Sequence, residues 1–231
     1  MKVSCVIPTA DRLQLLPVAI ESFLSQDWPD KELVVVDDGR TPARDLVEQV
    51  SGAIYIRLEK KLLLGAKRNL CCEVATGQVI AHLDDDDWSA PDRITDQVGL
   101  LTRFERALVG YSSVFVWDVV ARKSFLYGIG TLDTFGTSQC YRREWWEKHP
   151  FLNLRVNEDL AFTNTARDCG EVVAAVQHPA KIVIRVHRSQ TIKYGPDGYR
   201  PVPRQSLPSG FFDAIGEPEN QDQGENGKCE N

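Results

Sequence analysis

The chain has 231 residues, of which 42% are hydrophobic and 26% charged, and its formal net charge is -6. This composition is that of an ordinary globular protein, and the length suits one compact domain or one domain with a tail. The acidic balance argues against a non-specific nucleic-acid binder, which needs a basic surface.

The six cysteines form no CxxC pair and match the spacing of no zinc module. Four of them lie among apolar neighbours and are predicted to be small buried side chains in a reducing compartment: Cys5, Cys71, Cys72 and Cys140. No apolar run approaches the roughly 18 to 20 residues that span a bilayer. We therefore expect a cytoplasmic protein that is at most peripheral to a membrane.

Strand and helix signals alternate through the first half of the chain. Short apolar runs predict four strands, over residues 3–7, 32–36, 53–58 and 79–83. Apolar residues at helical spacing predict helices between them, over 13–25, 42–50 and 65–76. This order predicts an α/β fold with a mostly parallel central sheet flanked by helices.

The second half is less regular, with predicted helices over 91–101, 142–148 and 157–169 and predicted strands over 111–120 and 181–186. Glycines at 128, 130 and 136 indicate loops between them. Residues 211–231 are predicted to be an acidic, disordered tail, with almost nothing apolar beyond residue 216. Phe211 and Phe212 are candidates to anchor its start.

Four consecutive carboxylates, Asp84 to Asp87, follow the fourth predicted strand. Adjacent negative charges repel one another, so such a run needs either good solvation or a neutralising cation. Parallel sheets bind ligands at the carboxyl ends of their strands, where Thr9, Asp11 and Asp37 also fall. Because carboxylate oxygens suit hard ions, we expect Mg²⁺ or Mn²⁺ here, with a solvated acidic turn as the alternative.

Three other ligand-binding motifs are excluded. Trp88 and Ser89 occupy the fifth and sixth positions of the acidic run, where an EF-hand loop needs Asp or Asn and then Gly. The chain also contains neither a GxGxxG sequence nor a GxxxxGK[ST] sequence. The usual dinucleotide-binding and P-loop sites are therefore not supported.

Six short motifs occur in a familiar order: VIPT at 6–9, VVVDDG at 34–39, GAKRN at 65–69, LDDDD at 83–87, NEDL at 157–160 and VHR at 186–188. Together, over residues 3–190, they resemble the inverting family 2 glycosyltransferases with the GT-A fold. The resemblance implies one GT-A domain over 1–210. Its nucleotide-sugar-binding half would be 1–90 and its acceptor-side half 91–210.

The resemblance also assigns roles to individual residues. It implies that the nucleotide-sugar donor contacts Pro8, Thr9, Asp11, Asp37, Lys67, Arg68, Asp84 and Asp85. It implies a divalent metal on Asp86 and His187, with Asp87 possible because the run leaves the register ambiguous by one position.

Asp159 resembles the catalytic base of the family, and Glu158, Trp145 and Trp146 fall on the acceptor side. Inversion needs one carboxylate that takes the proton of the acceptor hydroxyl. The alternative for Glu158 and Asp159 is a stabilising interaction with the helix N-terminus. The alternative for the two tryptophans is a place in the core.

These expectations combine into a metal-dependent, inverting transfer of a sugar from a nucleotide-sugar, with UDP favoured, to an acceptor hydroxyl. The acceptor stays open among a saccharide, a lipid-linked sugar, a protein and, less favoured by the net charge, a modified nucleic acid. A nucleotidyltransferase is an alternative, but residues 3–12 carry no glycine-rich basic loop. A non-catalytic binding module is another alternative. The presence of Asp37, Asp86 and Asp159 together argues against it.

Overall fold

A computed structural model describes residues 1–128, 134–176, 178–187 and 199–217, without the side chains of 173–176. Twelve strands occur in these residues: β1 Val3–Thr9, β2 Lys31–Asp37, β3 Ile54–Arg57, β4 Val79–His82, β5 Trp88–Ser89, β6 Leu108–Tyr111, β7 Ser113–Asp118, β8 Lys123–Gly128, β9 Cys140–Arg142, β10 Val172–Val176, β11 Ile182–Val186 and β12 Tyr199–Val202. The α-helices of the same residues are α1 Leu16–Leu24, α2 Arg44–Val47, α3 Leu64–Val74, α4 Arg93–Phe104, α5 Arg143–Lys148, α6 Glu158–Asp168 and α7 Phe211–Ala214.

The central sheet has seven strands in the order β10-β6-β9-β4-β1-β2-β3. Strands β4, β1, β2 and β3 run parallel to one another, as do β10 and β6, whereas β9 is antiparallel to both of its neighbours. The predicted mostly parallel sheet is therefore confirmed. The carboxyl ends of β1, β2 and β4 lie side by side at one edge.

Alternate residues of the central strands build two separate cores. Cys5 and Ile7 of β1 pack with α1, α2 and α4, whereas Val6 packs with α3, α5 and α6 on the opposite face. Because both faces are covered, these strands are apolar throughout rather than alternating. That coverage explains why their sequence signal was strong.

A second sheet, of five strands in the order β12-β8-β7-β11-β5, was not predicted. The predicted strand over 111–120 is corrected to two strands, because Ser112 separates β6 of the central sheet from β7 of the second sheet. Strand β11 pairs in parallel with β7 and antiparallel with β5, which directly follows the acidic run. This pairing brings the chain near residue 185 next to the acidic run.

The folded part extends past the predicted boundary at residue 210. Phe211 and Phe212 are buried in α7 and pack with Trp88 and Trp117. Residues 211–217 therefore belong to the packed structure, and the rest of the predicted tail, 218–231, lies outside the described residues. Within the described part, no helix is both long and apolar enough to cross a membrane.

Candidate functional site

Three carboxylates of the acidic run converge at the carboxyl end of β4. Ligand oxygens of Asp84, Asp86 and Asp87 all lie within 4.8 Å of one another. Asp85 points elsewhere, because its two oxygens accept hydrogen bonds from Thr9 Oγ1 at 2.6 Å and Arg12 Nη1 at 2.7 Å. A cation could therefore be held by Asp84 together with Asp86 and Asp87, and the predicted metal ligands stay a prediction.

Asp85 and Asp86 share the guanidinium of Arg12, whose Nη1 also donates to Asp86 Oδ2 at 2.7 Å. Burial and the neighbouring charge of Asp86 raise the pKa of Asp85 to about 6, against the attraction of Arg12. Burial acts on Asp86 in the same direction, but a hydrogen bond with His187 and the charge of Arg12 outweigh it and lower its pKa. The two neighbours are therefore held in different electrostatic environments.

His187 lies where a metal ligand was expected. Its Nε2 is 3.0 Å from Asp86 Oδ2, and Arg185, in the strand β11 that ends just before His187, donates its backbone N–H to Asp87 Oδ1 at 3.1 Å. The guanidinium of Arg185 also donates to the backbone oxygens of Asp86 and Leu15. Arg185 of β11 and His187, which follows that strand, thus both contact the acidic run.

The donor set fits a hard divalent cation. Burial raises the pKa of Asp84 and of Asp87, and the negative charge of Asp86 adds to both shifts. Three crowded carboxylate oxygens with a neighbouring imidazole offer the ligands that Mg²⁺ or Mn²⁺ uses. A bound cation would relieve the repulsion that raises these pKa values.

Asp37 is the last residue of β2, and both oxygens of its carboxylate accept hydrogen bonds from other groups of the protein. Oδ1 accepts from Gly39 N at 2.8 Å and pairs with Arg57 at 3.1 Å, and Oδ2 accepts from Ala43 N at 2.9 Å and Tyr55 Oη at 2.7 Å. Asp37 is 1% exposed. In this structure it supports the loop after β2, and its predicted contact with the nucleotide-sugar donor stays a prediction.

Lys67 and Arg68 of α3 are also committed to protein partners. Lys67 pairs with Asp38 and donates to the backbone oxygen of Thr9 at 3.0 Å. Arg68 donates to Glu158 Oε1 at 3.0 Å and to Asp84 Oδ1 at 3.4 Å, and its Nη1 lies 2.8 Å from His82 Nδ1. Their predicted contact with a diphosphate stays a prediction.

Glu158 was predicted on the acceptor side, but it is 2% exposed and its carboxylate is paired with Arg68. Burial raises the pKa of Glu158, and the positive charge of Arg68 works against that shift. Burial would lower the pKa of Arg68, but the charges of Asp84 and Glu158 reverse the effect and raise it. The pair is a buried link between α3 and the start of α6.

Asp159 is partly exposed at the first turn of α6 and accepts a hydrogen bond from Leu160 N at 2.9 Å. Gln139 holds the backbone oxygen of Asp159 at 2.8 Å. A Cβ on Gly136 would lie 2.0 Å from Asp159 Oδ2, so only glycine leaves room for this carboxylate. Asn157 precedes the helix with a φ of 64° and makes no side-chain cap.

One cavity of about 790 Å³ collects most of the predicted site residues. It is lined by the predicted donor, metal, base and acceptor-side residues Pro8, Thr9, Asp11, Lys67, Arg68, Asp84, Asp85, Asp86, Asp87, Asp159 and Glu158. This volume lies within the usual range for small-ligand sites. The predicted base Asp159 lines the same cavity as the acidic run, and its negative charge contributes to the raised pKa of Asp84.

The two tryptophans predicted to be on the acceptor side belong to the core instead. Trp145 and Trp146 are 7% and 8% exposed and pack in the cluster that contains Cys71 and Phe162. The indole of Trp146 donates to Asn69 Oδ1 at 2.9 Å. Burial of a large apolar surface next to α3 explains their position, and neither lines the cavity.

Sequence reasoning did not single out Arg12 or Gly136 as site residues. Arg12 follows Asp11 in the loop after β1, so its place beside a strand end was the available signal. The role of Gly136 depends on its close approach to Asp159 of α6, which cannot be predicted from the residues around Gly136 in the sequence.

Comparison with known proteins decides the family. The family model described as "Glycosyl transferase family 2" matches residues 4–164. The chain belongs to this family. The chain is similar to the glucosyl-dolichyl phosphate glucuronosyltransferase of Haloferax volcanii, with 28% identity over 211 residues, 81% of this chain and 64% of that protein. It spans about half the length of several curated relatives that it matches.

Solved structures show that this family 2 chain has the GT-A fold. The Staphylococcus aureus TarS fragment 1-349 in complex with UDP-GlcNAc superposes with a TM-score of 0.68 and 19% identity, covering 85% of this chain and 63% of that one. The mannosyltransferase PcManGT of Pyrobaculum calidifontis, in complex with GDP-Man and Mn²⁺, gives a TM-score of 0.64 at 18% identity, covering 80% of this chain and 56% of that one. At this identity the likeness concerns the fold alone.

Proposed function

We propose that this chain is an inverting glycosyltransferase that moves a sugar from a nucleotide-sugar, with UDP favoured, to an acceptor hydroxyl. The observation that carries the proposal is the shared cavity, in which Asp159 lies beside Asp84, Asp86 and Asp87. One carboxylate able to take a proton next to a separate cation site is what a single displacement at an anomeric carbon requires.

Asp159 acts as the general base in this proposal. Its carboxylate accepts the proton of the acceptor hydroxyl while the hydroxyl oxygen attacks the anomeric carbon from the face opposite the nucleoside diphosphate. The C–O bond to the diphosphate breaks as the new bond forms, so the configuration inverts. Gly136 leaves room for the carboxylate, and Gln139 fixes the backbone at residue 159.

The donor end lies at the carboxyl ends of β1 and β4. Asp84, Asp86 and Asp87, with His187, would hold Mg²⁺ or Mn²⁺, which when bound offsets the negative charge of the departing diphosphate. Pro8, Thr9 and Asp11 form the cavity wall on the β1 side, where we place the nucleoside. Arg12 and Arg185 orient Asp85, Asp86 and Asp87 before any ligand binds. Residues 1–90 would supply the donor side and 91–210 the acceptor side.

The family match and the UDP-GlcNAc complex of TarS support the donor class, and the Mn²⁺ complex of PcManGT supports a metal. A thermal-shift screen of UDP-, GDP- and dTDP-sugars, each with and without Mn²⁺, tests the proposal. We expect UDP-sugars to raise the melting temperature most, and only with the metal present. No stabilisation by any nucleotide-sugar would contradict the proposed donor site.

A further inference from the structure

Six large apolar side chains are exposed on two segments beside the cavity. We call this surface the apolar rim, and it comprises Leu62, Leu63, Leu152, Leu154, Val156 and Leu160. Each is 37–59% exposed. A large apolar patch exposed on the surface of a folded domain often marks an interaction site.

The two segments of the apolar rim form one continuous surface. Gly65 N donates to the backbone oxygen of Leu154 at 3.0 Å, which joins the start of α3 to the segment before α6. A Cβ on Gly65 would lie 1.9 Å from the backbone oxygen of Leu152, so the two backbones are in direct contact. Leu62, Leu63 and Val156 also line the cavity that contains Asp159.

Positive charges accompany the apolar side chains. Lys60 and Lys61 precede Leu62, and Arg155 lies between Leu154 and Val156; all three are exposed. The acids of the two segments are Glu59, which is exposed, Asp159, which is partly exposed and lines the cavity, and Glu158, which is buried against Arg68. Among the exposed side chains of the rim segments, three cations therefore accompany one acid, on a chain whose formal net charge is -6. Apolar side chains interleaved with Lys and Arg suit the interface of an anionic bilayer.

We propose that the apolar rim docks on an anionic lipid bilayer. The leucines enter the boundary between headgroups and acyl chains, while Lys60, Lys61 and Arg155 meet the lipid phosphates. A bilayer fits better than a protein partner, because lysine is depleted from protein–protein interfaces. The cavity mouth then faces the membrane, so an acceptor carried on a lipid reaches Asp159 directly. This last step rests on the proposed function, whereas the docking does not.

Vesicle flotation with the whole chain tests the docking. The vesicles are phosphatidylcholine alone, or phosphatidylcholine and phosphatidylglycerol in equal parts. We expect binding to the anionic vesicles that weakens as salt is raised, because the cations of the rim are exposed and therefore screened. The double variant Leu152→Ser/Leu154→Ser should bind roughly tenfold more weakly, since the apolar area inserted is lost. Lys60→Glu should weaken binding to the anionic vesicles alone.

The matched control is Leu24→Ser/Val120→Ser, which removes two side chains of similar exposure, 51% and 59%, away from the rim. It should bind vesicles as the unaltered chain does. Equal binding by the rim variant and the control would overturn the proposal, as would no binding by the unaltered chain. Dimerisation in sedimentation that only the rim variant loses, without vesicle binding, would instead assign the rim to a second copy.

Donor turnover separates this inference from the proposed function. Release of UDP from a UDP-sugar in solution should be unchanged in Leu152→Ser/Leu154→Ser, because neither side chain lines the cavity. Lost vesicle binding with intact UDP release supports the docking. Vesicle binding by a chain that never releases UDP would leave the docking standing and refute the proposed function.

Discussion

Nε of Arg68 lies 3.0 Å from Oε1 of Glu158, and both side chains are buried. The same guanidinium contacts Asp84 of the acidic run and the ring of His82, which in turn lies 2.9 Å from Tyr141 Oη. Glu158 directly precedes Asp159. The Arg68–Glu158 pair therefore connects the candidate cation site to the candidate base through one side chain.

Removal of either partner of this pair should be strongly destabilising. Arg68→Ala or Glu158→Ala leaves a buried charge without its partner, which costs about 3–5 kcal/mol. The double variant should cost less than the sum of the two, by about 1 kcal/mol or more, since the charge left behind is then absent. Urea unfolding of the four proteins measures this coupling.

The Arg44–Glu48 pair is the matched control for that cycle. It is also an ion pair, with 2.7 Å between Arg44 Nη1 and Glu48 Oε1, but both side chains are more than half exposed. Its coupling should be much smaller than that of the buried pair, because solvent screens exposed charges. Equal coupling energies for the two pairs would show that burial of Arg68 and Glu158 adds nothing.

Gly136→Ala should impair catalysis more than folding. The new methyl group would overlap Asp159 Oδ2, and the carboxylate, as the end of a side chain, can rotate away at little cost to stability. We expect UDP release from a UDP-sugar to fall by about tenfold or more, since a displaced base loses much of its contribution. The melting temperature should barely change.

Gly99→Ala provides the comparison for that substitution. Gly99 lies in α4 with nothing within 4 Å of its added Cβ, so alanine should stabilise the helix by up to about 1 kcal/mol and leave UDP release unaltered. Full activity in Gly136→Ala would contradict the inference that catalysis requires the Asp159 carboxylate in its present position.

Asp86→Ala should abolish the metal dependence of nucleotide binding. Asp86 is one of the three carboxylates that share the candidate cation site. Calorimetry of UDP with Mn²⁺ should show an affinity at least about tenfold weaker than in the unaltered chain, which itself should lose affinity in EDTA. Asp45→Ala, at an exposed helix position, is the control and should change neither value. UDP affinity that survives both Asp86→Ala and EDTA would refute the metal site.

Glu32, which lies outside the candidate site, should make the free energy of unfolding depend on pH. Burial opposes its ionisation, but hydrogen bonds with Lys2, Ser4 and Thr76 dominate and lower its pKa from 4.5 to about 2. Because the folded pKa is depressed, its stabilising effect is complete above pH 4.5 and is lost as the pH falls towards about 2. Glu32→Gln should lower the melting temperature near neutral pH by about 3 °C or more. That difference should shrink below pH 4.5, and a constant difference would contradict the assignment.

The first half of the fold was predictable because its strands are buried on both faces. β1, β2 and β4 are continuous apolar runs that each end at a polar cluster, so the sheet edge and the residues gathered there followed from sequence. The second sheet was missed although two of its strands, β7 and β11, were predicted, because its other strands carry weaker signals. β8, for example, is largely half-exposed and ends at Gly128, a residue typical of loops.

Sequence reasoning named the candidate site residues, but it did not predict which other residues they contact. The acidic run and Asp159 line one cavity, and His187 contacts Asp86, while the roles assigned from the family motifs stay predictions. The commitment of Asp37 to Tyr55 and of Glu158 to Arg68 could not be inferred, because each pair joins residues that are distant in sequence. The same holds for Trp145 and Trp146, whose helical spacing fits a core and a sugar platform equally well.

The most direct test of the central claim is UDP release from a UDP-sugar by Asp159→Asn, measured with the UDP affinity of the same variant. Asparagine keeps the size of the side chain but cannot take a proton. We expect turnover to fall by at least about 100-fold while UDP binds with Mn²⁺ as it does to the unaltered chain. Turnover retained in Asp159→Asn would contradict the assignment of Asp159 as the base.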